Sequence, residues 1–440
     1  MMHRPRGCSF RLVALTLAMA LSATMMLGSI ASGAPAAGCP EIMTVAELRS
    51  LLAAGPVTGT GHTVARGTSP EPFTVEFLGV LEDGILPGRD MIVVDATDPL
   101  IQNEGGIWAG MSGSPVYIGN KLVGAVAFRL SFGPSTVGGL TPAENMMDVL
   151  TRTPATARAT AEALPERVRL PLSMRHKIAR RTGSTARAVG GNLEQLPIPV
   201  TVTGLGQRGK RLRAMRHFFR QHDIAAIPVA GASASGEAGA TTELVPGSNF
   251  AAALSYGDVT YAGIGTTTIV CDGRALAFGH PFFFSGETAM GANAATALTV
   301  VNDPTFGPYK LANVGGTLGT VDQDRIAGIR ALLGDIPSTV PVHSTVTSLD
   351  TGKVNEGTTN IVWDEDVTHL ALDHLFYAIL VTQDSFGEGS SEMSWTINGT
   401  TESGRRWQLE RSDMYVARYS LAYETVEEFH WQMHRLDDNK

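Results

Sequence analysis

The sequence predicts a mainly β protein with α insertions. Short apolar runs separated by Gly, Pro and Asp extend from Val57 to Phe128, and a second strand-rich block runs from Tyr256 to about Val321. Most of the helix-forming stretches fall between these two blocks.

In the first block, Phe73–Val80 alternates partly and Met91–Val94 is a short apolar run. Val116–Phe128 reads as a hairpin whose two-residue turn is Gly119-Asn120, a pair that accepts positive φ. Thr141-Pro142-Ala143-Glu144 places an N-cap Thr before Pro, with Glu three residues after the cap, so a helix is expected to about Arg152. Residues 153–239 read as a helical insertion or linker. Its pieces are 155–164, 172–182 and the basic 209–221, set around a strand-like Ile198–Val202, with Gly231–Ala240 as a small-residue linker. A short helix is expected at Asp322–Leu333. After Pro337 the composition shifts to Thr, Val, Ser and aromatic residues. There Ser394-Trp395-Thr396-Ile397 precedes the turn pair Asn398-Gly399, so 338–436 is expected to be a β-rich accessory domain.

Residues 1–37 have a composition of their own. His3, Arg4, Arg6 and Arg11 precede an apolar run from Leu12 to Ile30, and small residues follow. That order is the pattern of a secretory signal, with a retained N-terminal anchor as the rival. Cys39 lacks the preceding Leu of a lipid-attachment site. The rest of the chain is expected to be soluble and exported, either secreted or associated with a bacterial cell envelope. A formal charge of −8 offers no basic field for a phosphate backbone, which argues against nucleic acid as the main partner. The cluster Arg208–Arg220 is local and reads as a solvated helix face. Outside the signal the cysteines are Cys39 and Cys271, which either pair in an oxidising compartment or remain two free thiols.

The chemistry concentrates at Gly110-Met111-Ser112-Gly113-Ser114-Pro115. Glycines around a serine permit a sharp turn that exposes Oγ and aims N–H groups at a developing oxyanion. The same residues also suit an ordinary turn between two strands. A serine nucleophile needs a base, usually a histidine oriented by a carboxylate. Two histidines lie in Gly-rich, apolar, strand-like surroundings: His62 in Gly59-Thr60-Gly61-His62-Thr63, and His280 in Phe278-Gly279-His280-Pro281. No metal-ligand spacing and no phosphate-binding loop is present, so neither a metal nor another cofactor is expected. Phe282-Phe283-Phe284 reads as core packing with the option of lining a pocket.

The run Gly105-Gly106-Ile107-Trp108-Ala109-Gly110-Met111-Ser112-Gly113-Ser114-Pro115, with Leu122-Val123-Gly124-Ala125-Val126, resembles the SpoIVB peptidase family, and its serine loop resembles that of chymotrypsin-like proteases with Met111 in place of their Asp. The resemblance implies a chymotrypsin-like double β-barrel built from 45–152 and 240–336. It implies Ser112 as nucleophile, in preference to Ser114, with the N–H groups of Gly110 and Ser112 as oxyanion hole. Gly263-Ile264-Gly265-Thr266 before Phe278-Gly279-His280 is similar to the family's histidine segment, which points to His280 as base and leaves His62 as alternative. The family's histidine segment usually precedes its serine segment, so the order here implies a circular permutation. Asp98, in an Asp-Pro context fourteen residues before Ser112, is the implied acid; Asp95, Asp322 and Asp324 are alternatives, and a helix cap is the plain reading of Asp98. The implied activity is hydrolysis of a protein or peptide substrate through an acyl-enzyme, with self-processing or cleavage of a signalling or envelope protein. The other expectation is an inactive peptidase-fold protein serving as an envelope interaction module.

Overall fold

Alternating apolar residues and glycine-marked turns wind most of the chain into antiparallel strands that close on themselves twice. The computed structural model describes residues 38–131, 135–153, 167–203, 226–230, 243–401 and 403–438. The expected signal segment 1–37, the expected helical pieces 155–164 and 209–221 and the expected linker 231–240 lie outside the described residues.

After helix α1 (Val45–Ala54), the first barrel uses β1 (Val57–Thr63), β2 (Glu71–Leu86), β3 (Arg89–Asp95), β4 (Pro115–Ile118), β5 (Lys121–Leu130) and β6 (Val137–Pro142). The order β4-β1-β2-β3-β6-β5 is closed by pairing of β5 with β4. Every pair is antiparallel, as a hairpin-built sheet requires. Its interior is filled by Phe73, Val75, Phe77, Ile92, Val94, Trp108 and Met111. The β4–β5 turn is Gly119-Asn120 as expected, with Gly119 at φ 58°. A short helix, α2 (Pro99–Asn103), precedes the serine loop.

The second barrel uses β11 (Asn249–Gly257), β12 (Tyr261–Cys271), β13 (Arg274–Ala277), β14 (Gly286–Asp303), β15 (Gly307–Arg325) and β16 (Gly328–Leu333). The order β12-β13-β16-β15-β14-β11 closes through β11–β12. Phe250, Ala275, Phe278, Met290, Val321 and Ile329 form its core. The expected double β-barrel is therefore the architecture. Helix α3 (Ala143–Leu150) packs where the barrels meet, with Leu122, Ala125, Ile269 and Leu276. A disulfide joins Cys39 to Cys271 across a sequence separation of 232.

Several local expectations are corrected. Asp322–Leu333 is no helix: it forms the end of β15, a reversal at Ile326-Ala327, and β16. The strands win because Arg330, buried on β16, reaches Asp322 at 2.9 Å and the Val149 and Leu150 carbonyls ending α3 at 3.3 and 3.2 Å. Thr141 does not cap α3; it lies within β6, which ends at Pro142, and the helix begins after that residue. The segment 153–239 is more than helical. It holds α4 (Leu172–Thr182) as expected, but β7 (Arg167–Arg169) and β8 (Asn192–Gln195) extend the first sheet, while β9 (Ile198–Val202) and β10 (Ala226–Ala230) extend the second.

At the C-terminal end, β17 (Val340–Thr347) and β18 (Val354–Ile361) continue the second sheet, α5 (Val367–Gln383) follows, and the hairpin β19 (Gly389–Thr400) and β20 (Arg406–Ala417) leads to α6 (Leu421–Asp437). Asn398-Gly399 is not the turn, because Gly399 lies in β19 opposite Trp407, whose indole occupies the space a Cβ would need. Among the described residues no helix is long and apolar enough to cross a membrane.

Candidate active site

The serine loop leaves the first barrel and is held by the second. Gly110 and Gly113 adopt φ of 93° and 95°, a region where a side chain is strained, which explains the glycines around Ser112. Three loop carbonyls are fixed by one strand of the other barrel. Thr266 Oγ1 donates to Gly110 O at 3.0 Å, Thr266 N to Ser112 O at 2.8 Å, and Thr268 Oγ1 to Gly113 O at 2.7 Å. A Cβ on Gly113 would run into the Thr266 carbonyl and stand 2.5 Å from Phe278 N, so this contact too demands glycine.

The loop's N–H groups divide into two sets. Those of Met111, Gly113 and Ser114 donate to the carbonyls of Trp108, Val126 and Met111. Those of Gly110 and Ser112 donate to none of the described residues, and each follows a peptide whose neighbours are pinned. Two oriented, unused donors flanking a serine are what a developing oxyanion needs.

The two hydroxyls also differ. Ser114 Oγ bonds the Met111 carbonyl at 2.7 Å and Thr63 Oγ1 at 2.9 Å. Ser112 Oγ is buried without a hydrogen-bond partner. Ser114 is thus committed to the loop's shape, and Ser112 Oγ is the uncommitted hydroxyl.

His280 sits on the segment that lies against this loop. Phe278 N approaches the Thr266 carbonyl at 3.3 Å, the same residue whose N–H holds Ser112 O. Thr141 Oγ1 of the first barrel donates to Gly279 O at 2.6 Å. Phe278 and Gly279 take φ of 70° and 69° just before the histidine, and such a conformation at a non-glycine residue costs energy that the surroundings must supply. His280 Nδ1 stands 2.8 Å from the Pro281 carbonyl. A carbonyl only accepts, so Nδ1 carries the proton and Nε2 presents a lone pair. Nε2 is buried without a partner, as is Ser112 Oγ. The residues are 1 % and 0 % exposed. Burial draws the imidazole pKa down to about 4, opposed by the bond to Pro281, so the ring is neutral at neutral pH.

The carboxylates go elsewhere. Asp98 caps α2, accepting from Leu100 N at 3.0 Å and from Thr74 N at 3.1 Å. The plain reading of Asp98 as a cap thus describes its bonds, and the Nδ1 of His280 meets a backbone carbonyl instead. Asp95 accepts from Thr136 Oγ1 at 2.6 Å. Asp322 pairs with Arg330. Asp324 is buried beside the turn after His280, accepting from Phe282 N at 2.8 Å and Phe283 N at 2.7 Å. His62 points away from the serine loop: it faces the Tyr117 ring at 6.0 Å and crowds Gly247, while its strand neighbour Thr63 turns inward to Ser114. Phe282 stacks on Phe283 at 4.1 Å and Phe283 on Trp363 at 4.7 Å, a packing role for the aromatic run.

Sequence reasoning missed Thr141, Thr266 and Thr268, the hydroxyls that join the two barrels at the site. The run Thr266-Thr267-Thr268 inside an apolar strand was the available signal, since all three are buried. It also missed Lys310, which is fully buried with its stem against Gly110 and its Nζ donating to Asn249 Oδ1 at 2.8 Å. Burial draws that amine down to about 7. Of the His, Cys, Asp and Glu groups among the described residues, Cys39, Cys271 and Asp272 bring donor atoms within 4.8 Å of one another, and the disulfide removes two of those from ligation.

Residues 28–147 match the family model described as SpoIVB peptidase S55. No curated protein and no solved structure matches the chain.

Proposed function

We propose that this chain, whose residues 28–147 match the SpoIVB peptidase S55 family model, is an exported endopeptidase that works through an acyl-enzyme on Ser112. The observation that carries the reading is the pattern of satisfaction around the loop. Most polar groups there are bonded, while Ser112 Oγ, His280 Nε2, the N–H groups of Gly110 and Ser112, and the indole Nε1 of Trp108 are left over. All but the indole are groups a serine peptidase uses.

In this reading His280 Nε2 takes the Ser112 proton as Oγ attacks the substrate carbonyl. The two free N–H groups receive the oxyanion, and the imidazolium then protonates the leaving amine. Water repeats the sequence in reverse to free the acid. The Pro281 carbonyl sets the tautomer, a task for which Asp98 was the expected residue. Because Ser112 and His280 are buried and not hydrogen-bonded to each other, a substrate strand enters by shifting the junction between the barrels. The serine precedes the histidine, on the first barrel and the second respectively, in keeping with a permuted family order. The substrate class is a protein exposed outside the cytoplasm, with the chain itself as one candidate.

The second reading is a peptidase-fold protein without hydrolytic activity that binds envelope partners. The burial of both residues favours it. Labelling with a fluorophosphonate probe decides: wild type labels and Ser112→Ala does not if the enzyme reading holds, whereas folded wild type that never labels overturns it. His280→Ala should abolish labelling. His62→Ala and Asp98→Asn should leave most of it, and loss in His62→Ala alone would reassign the base.

A further inference from the structure

Helices α5 and α6 pack at the C-terminal end of the chain and bring three imidazoles together. His430 and His434 lie four residues apart on α6, so they share one face of that helix. His369 faces them from the first turn of α5. The ring centres are 4.4 Å apart for His430 and His434, 5.3 Å for His369 and His434, and 5.8 Å for His369 and His430.

These spacings have a chemical meaning. With Zn–N bonds of about 2.0–2.1 Å and ring centres roughly 1.2 Å behind the nitrogens, a tetrahedral ion holds its imidazole centres about 5 Å apart. The three observed separations bracket that value. His369 also has the partner that ligating histidines usually have. Its Nδ1 bonds the Asp366 carboxylate at the start of α5, which fixes the proton on Nδ1 and leaves Nε2 as the lone pair. The site is open to ions, since the His369 side chain is 53 % exposed and His430 and His434 are half-buried.

We propose that His369, His430 and His434 form a binding site for one divalent transition-metal ion of the Zn2+ type, with Asp366 orienting His369. Water completes the fourth position. The donor nitrogens do not already converge within 4.8 Å of one another, so the rings turn about their side-chain torsions as the ion enters. Both helices are fixed, α5 against β17 and β18 and α6 against the β19–β20 hairpin, so the ion would staple the last helix of the chain to the barrel side. The site is independent of Ser112 and of the peptidase reading.

The test is calorimetric titration of the tag-free full chain with Zn2+. One ion per chain is expected, with binding lost in His430→Ala/His434→Ala and weakened about 10–100-fold in Asp366→Asn, the usual effect of removing an orienting partner. Trp431, whose ring lies 5.6 Å from His430 and 6.3 Å from His434, supplies a second readout. Its emission should be quenched by stoichiometric Cu2+, and Trp431→Phe should remove the quenched component. Should the double variant fail to fold, His369→Gln takes its place and must weaken binding at least tenfold. Absence of saturable one-to-one binding, or unchanged binding in these variants, overturns the proposal.

Discussion

The buried imidazole of His280 makes a prediction that separates it from every solvated histidine. Its pKa is about 4 in the fold because burial disfavours the charged ring, against about 6.5 in the unfolded chain. Between those values the unfolded state binds a proton that the native state refuses, so stability falls as pH is lowered from about 6.5 to 4. The interval is roughly 2.5 pH units at 1.36 kcal/mol each, or about 3 kcal/mol. His280→Asn cannot protonate and should lack this component. Urea unfolding of wild type and His280→Asn at about pH 7.5 and pH 4.5 measures it: the difference in unfolding free energy between the two proteins should change by about 2–3 kcal/mol between the two pH values, to the detriment of wild type in acid. A difference that stays constant within about 0.5 kcal/mol would refute both the neutral, buried state and the lone pair at Nε2 that depends on it.

Three further predictions follow from the same geometry. Cys39→Ser/Cys271→Ser opens a loop of 232 residues, for which the chain-entropy model gives a loss of about 5.5 kcal/mol; equilibrium unfolding of the variant measures it, and a loss below about 1 kcal/mol would refute the tie as a stabilising element. Lys310→Met removes an amine drawn from 10.5 to about 7, so the variant should be the more stable near pH 7, by up to about 5 kcal/mol, with the gap closing as pH rises toward 10; a gap independent of pH would show the amine to be hydrated. Gly113→Ala should destabilise by several kcal/mol more than Gly119→Ala, because both have positive φ but only Gly113 is walled by Thr266 and Phe278; paired thermal melts compare them, and equal losses would mean the barrels are not in contact there.

How much of this was legible in the sequence depended on how local the deciding physics was. The β4–β5 hairpin and α4 emerged at their expected places because Gly119-Asn120 and the stretch 172–182 decide their own conformations. Asp322–Leu333 and Asn398-Gly399 did not. Each carries a plausible local signal that a distant residue overrides, the carbonyls ending α3 in one case and Trp407 in the other. The site divides in the same way. Ser112 and His280 lie in glycine-marked segments and could be singled out, whereas Thr141 and Thr266 look like ordinary strand residues until the second barrel supplies their partners. Asp98 shows the limit plainly, since an Asp-Pro pair before a helix serves capping and catalysis alike, and the amides of Leu100 and Thr74 take both its oxygens.

The bonds from Thr266 and Thr268 to the serine loop also order events in time. Those partners stand 156 and 155 residues later in the chain, and the histidine later still. During synthesis the serine loop therefore emerges well before the hydroxyls that hold its carbonyls. It takes its final shape only when the later barrel has folded beside the earlier one.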